Sequence, residues 1–381
     1  MYRRTRTLRL VCSAAGLVTG LSVLAGCGSS KPTSSGATAT TATSRSPSSE
    51  SSVTTTSGST AGPNTPAPRP LPQATNVTIA IVAPAEYVAP IYMAQQTGAF
   101  KAENLNVTVT DLDFTNALAL MAQGNVQLLA GGATAGLLNE DASGGVFKQV
   151  GAIFDSAPTS KVGIYVLDKY LTPQGTLNCA DVPKMTFNYG TGGLASSVPY
   201  VAQKVLQQCG YTLTNVNHVA LNGPNSLPAL ENGAISFSYL NDPQAGAAAS
   251  GNFAKLLPGS SYSLASYMMT TKYLSSQPEV AAAILRAIMR TTRTYFTGDY
   301  HQNPTTLAAI LKFTGASQAT VLADGPLAFK MDMQFSPSAL EAITGIQSVW
   351  IQNKIVSYTK PLTIDQINDT SLALKVAGGQ A

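Results

Sequence analysis

The apolar and polar positions from residue 76 onward alternate between short strand-like runs and helical patterns. The run at 77–82 is rich in β-branched residues and ends before Pro84, which predicts a buried strand. Strands that are separated by helices pair in parallel, so this pattern indicates an α/β fold with a mostly parallel sheet and helices on both faces. The predicted strands are 77–82, 105–109, 126–130, 147–154 and 162–167, and the predicted helices are 89–100, 115–123 with a cap at Thr115, and one that ends near 142.

The same alternation restarts in the middle of the chain. A second α/β unit is therefore expected, followed by a segment that becomes helical after about residue 262. The predicted elements are strands at 185–189, 216–221 and 234–239 and helices at 195–208, 226–232, 278–295 and 336–353.

Two units with the same alternation of strands and helices predict two lobes with a cleft between them, since about 305 residues are long for one core and suit two lobes. We expect 76–168 to begin the first lobe and 169–262 to form the second. The segment 263–381 returns to the first lobe and forms the helical C-terminal part. Hinges are expected near 167–173 and 262–268.

The N-terminus has the layout of a secretory signal peptide, predicted at 1–26. Four arginines and no acidic residue precede an apolar run at 10–24, which is short for a stable membrane span. The tetrapeptide Leu24 to Cys27 resembles a bacterial lipobox, so Cys27 is expected to carry a lipid and to hold the protein at the outer face of the cell membrane. An uncleaved N-terminal anchor is the alternative. Arg3 and Arg4 leave the export route open between the general secretory and the twin-arginine pathways.

Residues 27–75 are predicted to form a lipidated, disordered tether. Ser, Thr, Ala, Gly and Pro dominate this segment without an apolar period, so it cannot bury enough surface to offset its ordering entropy. The sequence permits glycosylation of the tether.

Charge and cysteine content exclude several functions. Removal of the signal peptide takes away four arginines and leaves as many basic as acidic residues, so no basic surface argues for nucleic acid binding. Cys179 and Cys209 then remain as a pair in an oxidising compartment, which predicts a disulfide, with two buried thiols as the alternative. The chain has 2 His and no cluster of Cys and His, so neither a metal site nor a cofactor is expected.

Four stretches together carry a family resemblance: 89–105, which contains Gly98, Phe100, Glu103 and Leu105, then 117–126, 228–234 and 242–243. They resemble the nitrate-, sulfonate- and taurine-binding proteins of ABC importers, a family that also contains binders of thiamine pyrimidine precursors. The resemblance implies a type II periplasmic-binding-protein-like fold, lobe closure on a small-molecule solute, an ABC permease with its ATPase as partners, and a monomer. Where the family has Val-Asp, this chain has Val126-Gln127 and Ile235-Ser236.

The ligand is expected at the carboxyl ends of strands, where helix N-termini offer unpaired N–H groups. Ordinary turns and helix caps are the alternative for these loops. If Glu86 and Asp242 both face the ligand, a taurine-like zwitterion or an aminopyrimidine fits better than a bare anion. Tyr87 and Phe114 could then pack against a flat ring. The alternative is that both acids are solvated in loops, or that Asp242 caps a helix, and in that case they do not indicate the ligand. The candidate residues are Glu86, Tyr87, Phe114, Asn116, Thr134, Thr191, Gly192, Gly193, Ser196, Ser197, Asn241 and Asp242.

No catalytic residue is expected. His218 and His301 lie far apart in sequence, and neither a Gly-x-Ser-x-Gly elbow nor a phosphate-binding loop is present. The expected function is therefore solute binding for an ABC importer, with a sulfonate-, taurine- or nitrate-like solute or, alternatively, a pyrimidine-like heterocycle. The sequence is also compatible with a surface lipoprotein that has no transport role and with an enzyme. Trp350, the only Trp, is expected in core or lobe packing.

Overall fold

The computed structural model describes residues 65–155, 160–190, 193–221, 223–241, 244–257 and 263–381. The predicted signal peptide, Cys27 and the tether up to residue 64 lie outside the described residues, as do Thr191, Gly192 and Asp242. Within these ranges, none of the helices combines the length and the apolar character that a membrane crossing requires.

Twelve strands are present in the described residues. They are β1 Thr75–Ile81, β2 Leu105–Asp111, β3 Leu128–Gly132, β4 Phe147–Ala152, β5 Phe154–Asp155, β6 Gly163–Leu167, β7 Thr186–Asn188, β8 Asn217–Val219, β9 Phe237–Leu240, β10 Ala254–Leu256, β11 Ala265–Thr270 and β12 Ala328–Phe329.

The same part of the chain contains thirteen α-helices. They are α1 Ala89–Gln96, α2 Phe114–Ala122, α3 Ala135–Gly144, α4 Val198–Gln207, α5 Gly223–Glu231, α6 Gln244–Ser250, α7 Thr271–Ser276, α8 Pro278–Tyr295, α9 Pro304–Thr314, α10 Gln318–Asp324, α11 Pro337–Gln352, α12 Ile364–Ile367 and α13 Ser371–Ala377.

The helix boundaries follow from local chemistry. Helix α8 begins at Pro278, whose missing N–H costs nothing in the first turn, and it covers the predicted 278–295. Helix α11 begins after Ser336, whose hydroxyl accepts the N–H of Ala339 at 3.3 Å. The cap predicted at Thr115 is wrong, because Asp113 caps α2 instead by accepting the N–H of Asn116.

Ten of these strands form two five-stranded sheets, and β5 and β12 pair as a two-stranded one. The first has the order β2-β1-β3-β11-β4, and the second has the order β10-β6-β9-β7-β8. Strands β1, β2 and β3 pair in parallel, as do β7, β8 and β9. One strand in each sheet runs against its neighbours: β11 pairs antiparallel with β3 and β4, and β6 pairs antiparallel with β9 and β10. Each sheet is therefore mixed.

The reversed strands mark where the chain passes between the sheets. It leaves the first sheet after β4 and enters the second at β6, then leaves the second after β10 and re-enters the first at β11. The predicted first lobe at 76–168 thus includes a strand of the second sheet, and the hinge predicted at 167–173 lies beyond the first passage. The helical pattern predicted after about residue 262 is wrong at β11. That strand is buried along nearly its whole length and lacks the period-2 alternation that identifies a half-exposed strand.

Helices cover both faces of the first sheet. On one face α1, α8, α9 and α13 contribute to a continuous apolar core, and on the other face α2, α3, α11 and α12 contribute to a second core. The second sheet packs against α4 on one side, and the predicted disulfide between Cys179 and Cys209 is confirmed there, joining a 3-10 turn to the end of α4.

A buried carboxylate, that of Glu103, connects parts of the first lobe that lie far apart in the sequence. Glu103 is fully buried, and its Oε2 accepts from Arg286 Nη2 at 2.6 Å while its Oε1 accepts from Arg290 Nη1 at 2.8 Å. The backbone N–H of Arg69 also donates to Oε2 at 3.1 Å. Because both oxygens of Glu103 are satisfied, its burial is compatible with a stable fold. The acid of the 98–105 motif thus connects α8 and the N-terminal segment to the β2 edge of the sheet.

We expect Glu103→Gln to lower the free energy of unfolding by about 3–5 kcal/mol, because it leaves two guanidinium groups without their buried counter-charge. Urea unfolding of the purified protein measures this loss. The matched control is Glu341→Gln, whose side chain is largely exposed and 3.9 Å from Lys204; it should change stability by less than about 0.5 kcal/mol. Equal stabilities of the Glu103 variant and the control would contradict the structural role.

A second buried carboxylate lacks this compensation. Asp141 in α3 accepts the backbone N–H of Phe147 at 2.9 Å through Oδ1, whereas Oδ2 has no hydrogen-bond partner within the described ranges. Burial raises the pKa of Asp141 from 3.8 to about 7, although the Phe147 N–H and nearby Lys148 oppose the shift. Folding therefore binds a proton at this site.

Because the folded pKa of Asp141 lies above the unfolded value, its ionisation costs stability progressively between about pH 4 and pH 7. Asp141→Asn keeps the acceptor for Phe147 and removes the charge. We expect it to raise the free energy of unfolding by up to about 4 kcal/mol at pH 8 and to change it little at pH 4. Urea titrations at both pH values measure this, with exposed Glu231→Gln as the control. A variant that is no more stable than the parent at pH 8 would refute the assignment.

Candidate functional site

Loops from the two sheets come close together at the ends of β3 and β7. Gly132 closes β3 in the first sheet, and Ser197 follows the loop after β7 in the second. A Cβ placed on Gly132 would lie 3.9 Å from the Oγ of Ser197. The carboxyl-end loops of the two sheets therefore meet at this point, which is where open α/β sheets bind ligands.

Two helices begin at this junction. Thr134 caps α3, and its hydroxyl accepts the N–H of Leu137 at 3.2 Å. Ser197 occupies the N-cap position of α4 without a side-chain cap bond of its own, and Pro199 in the first turn has no N–H. First-turn N–H groups lack intrahelical partners, so α3 directs donors from Ala135 and Gly136 toward this end of the sheet.

The described part of the second-lobe loop, residues 193–197, is folded on itself and held from outside. The Ser196 hydroxyl donates to the carbonyl of Gly193 at 2.9 Å. Gly193 has φ +53°, a conformation that favours glycine. The indole N–H of Trp350, in α11, donates to the carbonyls of Leu194 at 2.9 Å and Ser196 at 3.2 Å.

The fully buried amide of Asn188 organises the loops below the junction. Its Oδ1 accepts the backbone N–H groups of Gly190 at 3.1 Å and Leu221 at 2.8 Å. Its Nδ2 donates to the hydroxyls of Ser226 at 2.8 Å and Ser238 at 3.1 Å. One side chain at the end of β7 thus connects the loop after β8 with α5 and β9. The sequence reasoning missed Asn188, although an amide at a strand end directly before Tyr-Gly was a usable signal.

The sequence that forms these two sheets also identifies the protein family. A family model described as NMT1/THI5 like matches residues 85–297, which is more than half of the chain. The chain belongs to the NMT1/THI5-like family. This match confirms the resemblance drawn from the sequence motifs. No curated protein matches the chain at a significant level.

Solved structures show the fold of this NMT1/THI5-like chain. The alkanesulfonate-binding protein SsuA from Xanthomonas axonopodis pv. citri, solved with bound MOPS, is 15% identical with a TM-score of 0.59, covering 78% of this chain and 99% of its own. The periplasmic nitrate-binding protein NrtA from Synechocystis PCC 6803 is 10% identical with a TM-score of 0.57, covering 81% and 90%. The desulfurization enzyme DszB is 13% identical with a TM-score of 0.54, covering 80% and 99%. The predicted α/β, two-lobe, type II fold is confirmed.

Glu86 has an internal partner in this NMT1/THI5-like fold. Only 2% of the residue is exposed, and its Oε1 accepts from the hydroxyl of Tyr300 and from His301 Nε2, the latter at 2.7 Å. The Tyr300 oxygen in turn accepts the N–H of Leu327 at 2.7 Å. The structure thus places Glu86 in a buried cluster with the C-terminal part of the chain, and a role in ligand binding stays a prediction.

The remaining candidates on the first sheet lie along its rim. The ring of Tyr87 is 6.1 Å from that of Phe154, and burial, with the nearby charge of Asp111, raises the pKa of Tyr87. The half-buried ring of Phe114 lies against Gly131, where a Cβ would come within 3.0 Å of it.

Two further candidates are exposed. The amide of Asn116 donates to Asp113 at the start of α2, and the carbonyl of Asn241 accepts the N–H of Ala245 at 3.0 Å. Neither contact shows or excludes ligand binding, so the ligand-binding role of both residues stays a prediction.

The described segments around the carboxyl ends of β1, β2, β3 and β7 carry acids and no bases. Asp111 and Asp113 are exposed at the end of β2. The described residues at 82–88, 111–116, 131–136, 188–190 and 193–198 include neither Lys nor Arg. In these segments, the groups that can attract an anion are helix N–H groups and hydroxyls.

We expect Asn188→Ala to lower the free energy of unfolding by about 2–4 kcal/mol, because two part-buried N–H groups lose their acceptor and two buried hydroxyls lose their donor. Hydrogen exchange at the amides of Gly190 and Leu221 should accelerate more than exchange in β1. Mass spectrometry of the exchanged protein measures this. The control is Asn106→Ala, which removes only an exposed amide pair with Asn76. Unchanged protection at Gly190 and Leu221 would show that Asn188 does not hold these loops.

Proposed function

We propose that this protein is the extracytoplasmic solute-binding component of an ABC importer. It would capture a small polar solute between its lobes by closure and deliver it to a membrane permease with a cytoplasmic ATPase. The observation that carries the proposal is the approach of Gly132 and Ser197 from different sheets, at the starts of α3 and α4. Such a junction is where a two-lobed α/β protein can enclose a ligand with both halves.

The chemistry of the junction favours a solute with an anionic or strongly polar group. N–H groups at the start of α3 and the Thr134 hydroxyl can donate, because that hydroxyl uses only its oxygen toward Leu137. A sulfonate-, taurine- or nitrate-like solute presents oxygens that accept such donors. The structural neighbours named for alkanesulfonate and nitrate binding support this class of solute.

A flat heterocycle such as a pyrimidine precursor is the second candidate. The half-buried ring of Phe114 offers a face at the rim, and exposed Asp111 and Asp113 favour amino or ring N–H groups over a bare anion. These three residues all lie on the first sheet, so a heterocycle would bind nearer to α2 than an oxyanion would.

We propose binding without turnover, as a lipid-anchored monomer on the outer face of the cell membrane. The lipid would be attached at Cys27.

His301 donates to buried Glu86, and His218 is 2.6 Å from the carbonyl of Leu213, so both imidazoles have internal partners. Within the described ranges no group of His, Cys, Asp and Glu has the arrangement of a metal site. The fold likeness to DszB makes an enzyme the alternative that turnover assays must address.

The test is a thermal-shift screen followed by calorimetric titration. The panel contains taurine, alkanesulfonates, nitrate and aminopyrimidines. A bound solute should raise the melting temperature with its concentration, since it stabilises the folded state by RT ln(1 + [L]/Kd).

Gly132→Leu should weaken the binding of the solute by at least about tenfold, because the new side chain fills the space before Ser197. Gly144→Leu is the matched control, because it lies at the other end of α3 with nothing within 4 Å of its added Cβ. Equal affinity of the Gly132 and Gly144 variants would place the solute elsewhere. A folded protein that no member of the panel stabilises would contradict the proposed solute classes.

A further inference from the structure

Helix α11 belongs to the core of the first sheet. Ile343, Ile346 and Trp350 are fully buried there, in one apolar cluster with Leu129 of β3 and Met268 of β11. Such close packing holds the helix rigidly against the sheet.

The same helix also contacts the second lobe. Gly345 lies against the ring of Tyr200 in α4, so closely that a Cβ at Gly345 would come 2.5 Å from Tyr200 Cε2. Val349, one turn further, is buried in the core of the second sheet. Helix α11 is therefore a connection between the lobes in addition to the two passages of the chain.

At the end of this helix, Trp350 reaches the loop at 193–197. Its indole N–H is shared by the carbonyls of Leu194 at 2.9 Å and Ser196 at 3.2 Å. Gly193 in this loop has φ +53°, and Gly190 shortly before it has φ +75°, so residues with wide conformational freedom lie in and next to the loop. A donor on a rigid helix restricts that freedom before any solute arrives.

We infer that Trp350 is a positioning residue for the proposed solute site. Its N–H fixes the carbonyls of Leu194 and Ser196 and thereby holds Ser197 and the start of α4 opposite Gly132. The inference rests on the proposed function for its biological meaning, whereas the positioning itself is a property of the solute-free protein.

The experiment removes only the donor. Because Trp350 is the single tryptophan, biosynthetic replacement by benzothienylalanine exchanges the indole N–H for sulfur at this position with nearly the same ring size. Replacement by 5-fluorotryptophan keeps the N–H and is the conservative rescue. Trp350→Phe is a second donor-free variant. The readout is amide hydrogen exchange of the solute-free protein, followed by mass spectrometry.

Both donor-free proteins should exchange at least about tenfold faster within 193–197, while exchange in α8 stays unchanged and the 5-fluorotryptophan protein behaves like the parent. Unchanged exchange at 193–197 in the donor-free proteins would overturn the inference. So would a uniform increase across α4, α8 and α11, because that is the result of a purely structural role.

The solute screen separates this inference from the proposed function. If a member of the panel binds, its affinity should fall in the benzothienylalanine protein and return with 5-fluorotryptophan; an unchanged affinity would overturn the positioning role. Loop-specific exchange in a protein that binds no member of the panel would contradict the proposed solutes and leave the positioning of the loop supported.

Discussion

The buried carboxylate of Glu103 is the constraint on which the first lobe depends. A charge at zero exposure requires its partners, and those partners, Arg286 and Arg290, lie more than 180 residues later on α8. The core of the first sheet is complete only when α8 returns to it. The second sheet is inserted between these two parts of the sequence, with one passage of the chain on each side of it. The acid in the 98–105 motif acts through this long-range pairing rather than through a ligand.

The insertion determines the geometry of the cleft. Because the chain passes between the sheets twice, each sheet receives one strand from the opposite direction, β6 in the second and β11 in the first. The parallel strands on either side keep their carboxyl ends together. The start of α3 in one lobe and the start of α4 in the other then face the same region, where Gly132 and Ser197 meet. Even a Cβ at 132 would reach only ordinary contact distance, 3.9 Å, from the Oγ of Ser197.

Sequence patterns predicted those features of the fold that depend on residues close together in the chain. The sequence predicted the helix at 278–295 because Pro278 starts it and its apolar face repeats regularly. It predicted the Cys179–Cys209 pair because the expected signal peptide and lipidation account for the other two cysteines. The reversal of β11 was not recoverable, since pairing between distant strands decides it. The same holds for buried Glu86, whose partners Tyr300 and His301 lie more than 210 residues away. For the proposed site, the sequence indicated the candidate loops but not the hydrogen bonds from Asn188 and Trp350 that hold them.

Those hydrogen bonds bear on how a site without basic side chains could retain a solute. Helix N–H groups and hydroxyls each contribute less attraction than a paired arginine would, so the free energy lost in ordering a flexible loop weighs more heavily against binding. Asn188 restrains the loops that follow β7 and β8, and Trp350 restrains the loop at 193–197. Both contacts exist without a solute, so they lower that ordering cost in advance. In the proposed site, this advance ordering of the second-sheet loops would offset part of the weakness of the donors at the start of α3.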